Sequence, residues 1–261
     1  MHTAKQILND LMTIKAGSIN NFYSPQAKSY DGSVQWPTVC FKDLEKQGLI
    51  KRIPFNVKVI NKRREVFYFV TKKGSDYIDR RCEQRDKEPK SYNNAIHESM
   101  KYDIALAFVR SFREFDIEFN YKADINGIRP DILIKMTNKY TIKRYIFLVE
   151  IERKREPLRT YKEKLLQYEE KIHDPSKHGL PHQTKILVVY TTLNYNVYIR
   201  PQEYKANEVS FSQVNTFYKR LLNVSYTLPA GRYRFLPFHF FPYVARAVWQ
   251  TPKGEYVKLI I

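Results

Sequence analysis

The sequence predicts two units, a small α+β unit followed by an α/β unit that holds a mixed β-sheet. Residues 3–81 show three helical patterns, then a hairpin pattern, then a further helix. Residues 94–192 show the order helix, strand, strand, strand, helix, strand. A polar and charged stretch lies between these two blocks, near Pro89. We therefore place the domains at residues 1–90 and 91–261.

The first unit begins with apolar residues at helical spacing after Thr3, a residue type that favours a helix N-cap. We expect a second short helix over 18–23, a third that opens at Trp36 and ends at Gly48, and a strand over 49–53. Residues 57–60 and 66–70 predict the two strands of a hairpin, and residues 75–81 predict a closing helix.

Three helices followed by a hairpin with a basic tip look like a winged helix-turn-helix domain. In that class the third helix enters the major groove of DNA, and the hairpin contacts the backbone or the minor groove. The third helix would bring Lys42 and Lys46, and the hairpin tip would bring Lys62, Arg63 and Arg64. Such cations bind phosphates, which positions a protein on DNA without selecting a sequence. The alternative is a solvated hairpin tip on a winged helix that binds another protein.

The second unit opens with an amphipathic helix over 94–112, a strand over 117–121 and a turn at 125–128. Strands over 132–134 and 145–149 come next, and a helix follows over 157–172. Residues 184–192 are almost continuously apolar, which is typical of a parallel strand buried on both faces. We also expect a helix over 209–222 and a terminal hairpin over 249–256.

Residues 231–243 interleave arginine with aromatic residues. We predict a loop whose aromatic side chains fill the core. The alternative is a surface on which the bases of a single strand stack.

Acidic residues mark the ends of the two central strands of the second unit. One strand continues into Glu150, Glu152 and Lys154, which share a face because side chains alternate along a strand. Asp131 opens the neighbouring strand and is expected to face the same point. Three converging carboxylates repel one another, so Mg²⁺ or Mn²⁺ would neutralise them. Such a metal polarises a phosphodiester, and a nearby lysine stabilises the developing charge. The alternative is a solvated, charged strand end.

Two helical residues are further candidates for this site. Lys164 lies in the predicted helix 157–172 and could reach the carboxylates, with a solvated lysine as the alternative. Glu98 lies in the first turn of helix 94–112 and is a candidate metal ligand. The helix dipole alone favours a carboxylate at that position.

Pro130-Asp131, followed by Glu152-x-Lys154 on the next strand and then a helix, resembles the PD-(D/E)xK nuclease core. The resemblance implies a restriction-endonuclease-like α/β domain, with a mixed sheet and helices on both faces. It also implies a metal-dependent nuclease site at these residues.

The chain is similar to the replication-relaxation family of plasmid and mobile-element proteins, which join a winged helix to a compact nuclease-like domain. This likeness is carried by His97, by the segments 129–131 and 147–153, and by Lys164-Leu165-x-x-Tyr168. It implies that Asp131, Glu150, Glu152 and Lys164 are site positions. Lys154 departs from the small residue usual at its position, so either Lys154 or Lys164 is left as the catalytic lysine.

The amino-acid composition restricts the classes of partner that the chain is expected to bind. The formal charge of +18 is spread along the whole chain, which indicates a polyanion and first of all nucleic acid. No segment combines a basic face with a separate apolar face, which disfavours an anionic membrane. Cys40 and Cys82 form no CxxC or CxxH pair, so no zinc site is implied. The first residues lack a signal-peptide core and no apolar run approaches the ~20 residues of a membrane span, so we expect a cytoplasmic protein.

Three functions fit these patterns. The first is a DNA-binding protein of a plasmid or mobile element that acts in replication, relaxation or transfer and carries a nuclease-like domain. The second is an active Mg²⁺-dependent endonuclease, and the third is a winged-helix transcription regulator whose second domain is inactive. Expected partners are double-stranded DNA, other replication or mobilisation proteins, and a second copy of the chain in a homodimer. The six histidines form no His-x-His pair, which disfavours a relaxase with a histidine metal centre.

Overall fold

The computed structural model describes residues 4–22, 36–52, 66–80, 95–152, 158–190, 227–237, 240 and 243–260. The chain divides into two compact units, Met1–Val109 and Arg110–Ile261. Together they hold helices and a mixed β-sheet, as the sequence predicts.

The first unit is a small α+β fold with a three-stranded antiparallel sheet. Its elements are α1 (Ala4–Ile14), β1 (Gly17–Ser18), α2 (Ile19–Phe22), α3 (Trp36–Lys46), β2 (Ile50–Arg52), β3 (Phe67–Val70) and α4 (Lys72–Tyr77). The strands lie in the order β1, β3, β2, and both pairs are antiparallel. The predicted helices and the strand at 49–53 are confirmed. The first hairpin strand, predicted over 57–60, and the hairpin tip lie outside the described residues, so the winged helix stays a prediction.

The closing helix of this unit begins before the predicted Ser75 because Thr71 caps it. The Thr71 hydroxyl accepts a hydrogen bond from Gly74 N at 3.1 Å, and it donates to the Gly48 carbonyl at 2.7 Å. Side-chain acceptors of this kind stabilise the first turn of a helix. Gly74 is required there, since a Cβ would lie 2.1 Å from the carbonyl oxygen of Leu49. The cap thus joins the start of α4 to the loop before β2.

Helix α5 (Ala95–Ser111) follows, and the division between the two compact units falls inside it. Its N-terminal part packs within the first unit. Asn21 Nδ2 donates to Asp103 Oδ1 at 2.8 Å, and the rings of Phe67 and Tyr102 lie 5.5 Å apart. The predicted linker near Pro89 lies outside the described residues.

The second unit is built on a seven-stranded mixed sheet. Its elements are β4 (Phe115–Asn120), β5 (Ile132–Asn138), β6 (Arg144–Glu152), α6 (Leu158–Ile172), a 3₁₀ turn (Pro175–His178), β7 (Lys185–Tyr190), β8 (Tyr233–Pro237), β9 (Trp249–Gln250) and β10 (Tyr256–Val257). The strands lie in the order β10, β9, β8, β7, β6, β5, β4. The pairs β6–β7 and β7–β8 are parallel, and the others are antiparallel. The predicted parallel, fully buried strand at 184–192 is confirmed as β7.

Residues 233–237 correct one prediction: they form the inner strand β8, not a loop. The alternation of arginine and aromatic residues here is the period of a strand, in which successive side chains point to opposite faces. Tyr233 and Phe235 are fully buried, so the expected filling of the core is confirmed and base stacking on these two rings is excluded. The predicted helix 209–222 lies outside the described residues.

Helix α6 covers one face of the sheet and fixes the position of the candidate site. Its buried side chains are Leu165, Tyr168 and Ile172. They pack in one apolar cluster with Leu148 of β6 and Val188 of β7. Because residues of the same parity in a strand share a face, Glu150 and Glu152 lie on the side of β6 that α6 covers.

Candidate functional site

The site lies where β5 begins and β6 ends. The antiparallel register pairs Ile132 with Val149, which brings Asp131 beside the last residues of β6. Asp131 Oδ2 accepts a hydrogen bond from the Ile151 amide at 2.8 Å. The aspartate is therefore tied to the strand that carries the two glutamates.

Glu150 and Glu152 are buried, with 4% and 6% of their surfaces exposed. Both carboxylates bind the same cation from α6. Lys164 Nζ lies 2.8 Å from Glu150 Oε2 and 2.9 Å from Glu152 Oε1. Buried carboxylates need such a partner, because an isolated charge is costly to remove from water.

Tyr168 completes the cluster, and the sequence did not identify it as a polar partner. It lies one helical turn after Lys164, so both side chains leave α6 on the same face. Its hydroxyl donates to Glu150 Oε1. Tyr168 belongs to the motif Lys164-Leu165-x-x-Tyr168 described above, which assigns no role to its hydroxyl. The available signal was a tyrosine four residues after a lysine, opposite a strand with buried acids.

Burial sets the electrostatics of the site. Desolvation, with a contribution from the charge of Asp131, raises the pKa of Glu150 from 4.5 to about 7, although Lys164 acts to lower it. Desolvation acts to lower the pKa of Lys164, but Glu150 and Glu152 outweigh it and raise that pKa above its usual value. Burial and the charge of Glu150 raise the pKa of Tyr168 as well. At neutral pH Lys164 is therefore charged, Tyr168 is a hydrogen-bond donor, and Glu150 is close to its titration midpoint.

Four of the five residues predicted to be catalytic are thus brought together: Asp131, Glu150, Glu152 and Lys164. Lys154 lies outside the described residues. The same holds for the side chain of Glu98 in α5 and for the predicted hairpin cations Lys62, Arg63 and Arg64. Lys42 and Lys46 are both exposed on α3.

The residue types suit a hard divalent ion, and the Mg²⁺ or Mn²⁺ site stays a prediction. Carboxylate oxygens are the ligands that Mg²⁺ prefers. Within the described ranges, however, no three His, Cys, Asp or Glu side chains are grouped so that they could hold a metal ion. Lys164 supplies the positive charge between Glu150 and Glu152. In the folded chain, the ammonium group of Lys164 therefore neutralises part of the negative charge of the cluster.

Comparisons with protein-family models, with curated proteins and with solved structures each found no match. Among the described helices, none combines the length and the apolar character needed to cross a bilayer.

Proposed function

We propose that the chain is a DNA-binding protein of a plasmid or mobile element that acts in replication, relaxation or transfer and that its second unit is nuclease-like. The observation that carries this proposal is the meeting of Asp131, Glu150, Glu152 and Lys164 at the end of two adjacent strands of a mixed sheet. The resemblance to the replication-relaxation family stays a prediction alongside it.

The positive charge of the chain supports binding to double-stranded DNA. The chain carries a formal +18, and Lys42 and Lys46 are exposed on α3, the helix that would enter the major groove of a winged helix. Each phosphate contact releases condensed counterions, so the affinity would fall steeply with salt. Replacing both lysines with glutamine should lower the slope of log K against log salt by about 2. An unchanged slope would remove α3 from the DNA-binding surface.

A metal-dependent endonuclease is the second candidate, because three carboxylates lie on neighbouring strands next to a lysine. Mg²⁺ or Mn²⁺ is the cofactor that it requires, and such an ion would activate water and stabilise charge on a phosphodiester. Asp131 is positioned by the Ile151 amide, and Glu150 and Glu152 are held by Lys164. Incubation of the full chain with supercoiled plasmid and either metal tests this candidate. Nicking that is lost in Asp131→Asn but kept in Glu163→Gln, an exposed position on α6, supports it.

A stability measurement tests metal binding without depending on activity. Lys164→Met leaves two buried carboxylates without their ammonium, which should destabilise the second unit by about 3–5 kcal/mol. If the carboxylates hold a divalent ion, Mg²⁺ or Mn²⁺ should restore stability in proportion to the logarithm of its concentration. Adding Asp131→Asn should abolish that rescue. A variant that neither metal stabilises would contradict the endonuclease and leave DNA binding intact.

Mapping of the bound DNA separates the proposal from a transcription regulator with an inactive second unit. Binding at a replication or transfer origin supports the proposal, and binding at promoters alone contradicts it.

A further inference from the structure

The turn between β5 and β6 exposes two large apolar side chains that the site does not use. Tyr140 is 83% exposed and Ile142 is 73% exposed, more than any other large hydrophobic residue that the structure describes. Single exposed apolar residues are common on protein surfaces. Two of them within three positions at the tip of a hairpin form a small wedge, and packing within the described part of the chain does not explain it.

The turn holds this wedge in one conformation. Asn138 Oδ1 accepts hydrogen bonds from Tyr140 N and Thr141 N, each at 2.9 Å, and Ile142 N donates to the Asn138 carbonyl at 3.0 Å. Ile142 has φ of 58°, in the left-handed region where a β-branched residue is strained. Glycine or asparagine would adopt that backbone more easily. Strain at an exposed position is a pointer to function, because such residues cluster at binding sites.

Cations lie directly behind the wedge on one face of the sheet. Lys143 Nζ lies 5.3 Å from the ring centroid of Tyr145, and that ring stacks on Phe147. Phe147 is the register partner of Lys185 on β7, so Lys185 belongs to the same face. Burial lowers the pKa of Lys185, and the positive charges of Arg234 and Lys143 lower it further. Lys185 is therefore close enough to Lys143 and to Arg234 to be repelled by both.

Arg234 is the buried member of this cationic group. Its register partner is Leu187, two residues after Lys185, so its side chain shares that face. Only 9% of Arg234 is exposed, and its Nε is buried without a hydrogen-bond partner. Among the residues that the structure describes, Lys143, Lys185 and Arg234 form no ion pair with a carboxylate, although the charge of Glu255 acts on Arg234. A concentration of positive charge attracts anions.

We propose that the tip residues Tyr140 and Ile142, together with Lys143 and Lys185, form a second contact surface for duplex DNA, the β5–β6 patch, and that the buried Arg234 adds positive potential behind it. The two lysines bind backbone phosphates, and the two apolar side chains insert into the minor groove, where aliphatic and aromatic wedges act between base steps. The tip of the patch lies at the opposite end of β6 from the carboxylates, roughly 25 Å away for a strand of this length. This inference rests on the proposed DNA-binding function and adds to it a surface on the second unit.

Affinity of the full chain for a labelled duplex and for a single strand of the same sequence, measured across a salt series, tests the patch. The double variant Tyr140→Ser with Ile142→Gly should weaken duplex binding about fivefold or more, because apolar contacts with the bases are lost. The salt slope should not change, because no phosphate contact is removed. Lys143→Gln with Lys185→Gln should lower the slope by about 2. The terminal hairpin offers a matched control, since Tyr256, Lys253 and Lys258 are likewise exposed. Tyr256→Ser and Lys253→Gln with Lys258→Gln should bind as the unchanged chain does.

The results distinguish a failure of DNA binding as a whole from a failure of the β5–β6 patch alone. If the unchanged chain binds no DNA, the proposed function and the patch both fail. If it binds and the patch variants bind as well as the control variants, the patch alone is overturned. A loss seen only on the single strand overturns the assignment to duplex DNA. Thermal unfolding of Ile142→Gly provides the folding control, because relief of backbone strain should keep or raise its melting temperature.

Discussion

Replacing Glu150 with glutamine tests the electrostatics of the site most directly. Glutamine keeps the shape of the side chain and resembles the protonated carboxyl in being neutral. The pKa of Glu150 is raised from 4.5 to about 7 because the group is buried. Between pH 4.5 and about pH 7, Glu150 keeps a proton in the folded protein that it has already released in the unfolded chain.

The sign and size of the effect follow from this difference in bound protons. Because the folded state binds more protons in this window, the free energy of unfolding falls as the pH rises through it. Each unit of pKa difference corresponds to about 1.4 kcal/mol, so the ionised Glu150 costs the folded state about 3 kcal/mol above pH ~7. The Glu150→Gln variant lacks this titration. Relative to the unchanged chain, it should gain about 2–3 kcal/mol between roughly pH 5 and pH 8.

Tryptophan fluorescence during urea unfolding gives the measurement. The chain has two tryptophans, and Trp249 is fully buried in the second unit. A Trp36→Phe background therefore makes Trp249 the reporter of that unit. Glu163→Gln is the matched control, since Glu163 is exposed on the same helix and pairs with Arg159. The control should follow the pH profile of the unchanged chain.

The dominant effect of burial on Glu150 would be refuted by a stability difference between Glu150→Gln and the unchanged chain that stays constant across the window. It would be refuted equally by a difference that favours the unchanged chain more at high pH. Either outcome would mean that Lys164 compensates Glu150 fully and that burial does not dominate.

Three further substitutions test the site, the first unit and the turn between β5 and β6. Tyr168→Phe removes the hydroxyl that donates to the buried carboxylate, and Trp249 fluorescence should report a loss of about 1–3 kcal/mol. Gly74→Ala places a Cβ 2.1 Å from the Leu49 carbonyl and should destabilise the first unit, by circular dichroism, by about 1–3 kcal/mol or more. Gly231→Ala meets no atom within 4 Å and is its control. Ile142→Gly should stabilise the chain by up to about 1 kcal/mol in thermal unfolding, because relieved strain exceeds the added entropy of glycine.

Much of the second unit could be predicted because its strands have unambiguous patterns. Residues 145–149 and 186–190 are continuous apolar runs. Because side chains alternate along a strand, the run before Glu150 also determines which face of the sheet Glu150 and Glu152 occupy. The helical spacing after Pro157 placed Lys164 within reach of the strand that precedes it. These are local signals, and the structure agrees with them.

The missed features depend on contacts between distant residues. Residues 233–237 lie 43 or more positions after β7, and only their pairing with β7 and β9 identifies them as an inner strand. Tyr168 occupies an apolar helix position, so its hydroxyl bond to Glu150 could not be inferred before the helix was placed on the sheet. The cap at Thr71 could not be predicted for the same reason, because the Thr71 hydroxyl also bonds to the Gly48 carbonyl, which lies far away in sequence.

The charge balance of the site bears on what the second unit can do. Asp131, Glu150 and Glu152 contribute three carboxyl groups, and the cation that binds the two glutamates is Lys164. Even with Glu150 half protonated near pH 7, the cluster keeps an excess of negative charge and would repel a DNA phosphate. Lysine alone therefore does not make a phosphodiester site here. A nuclease at this position needs a divalent cation at these carboxylates, and without one the cluster joins α6 to the sheet through Lys164 and Tyr168.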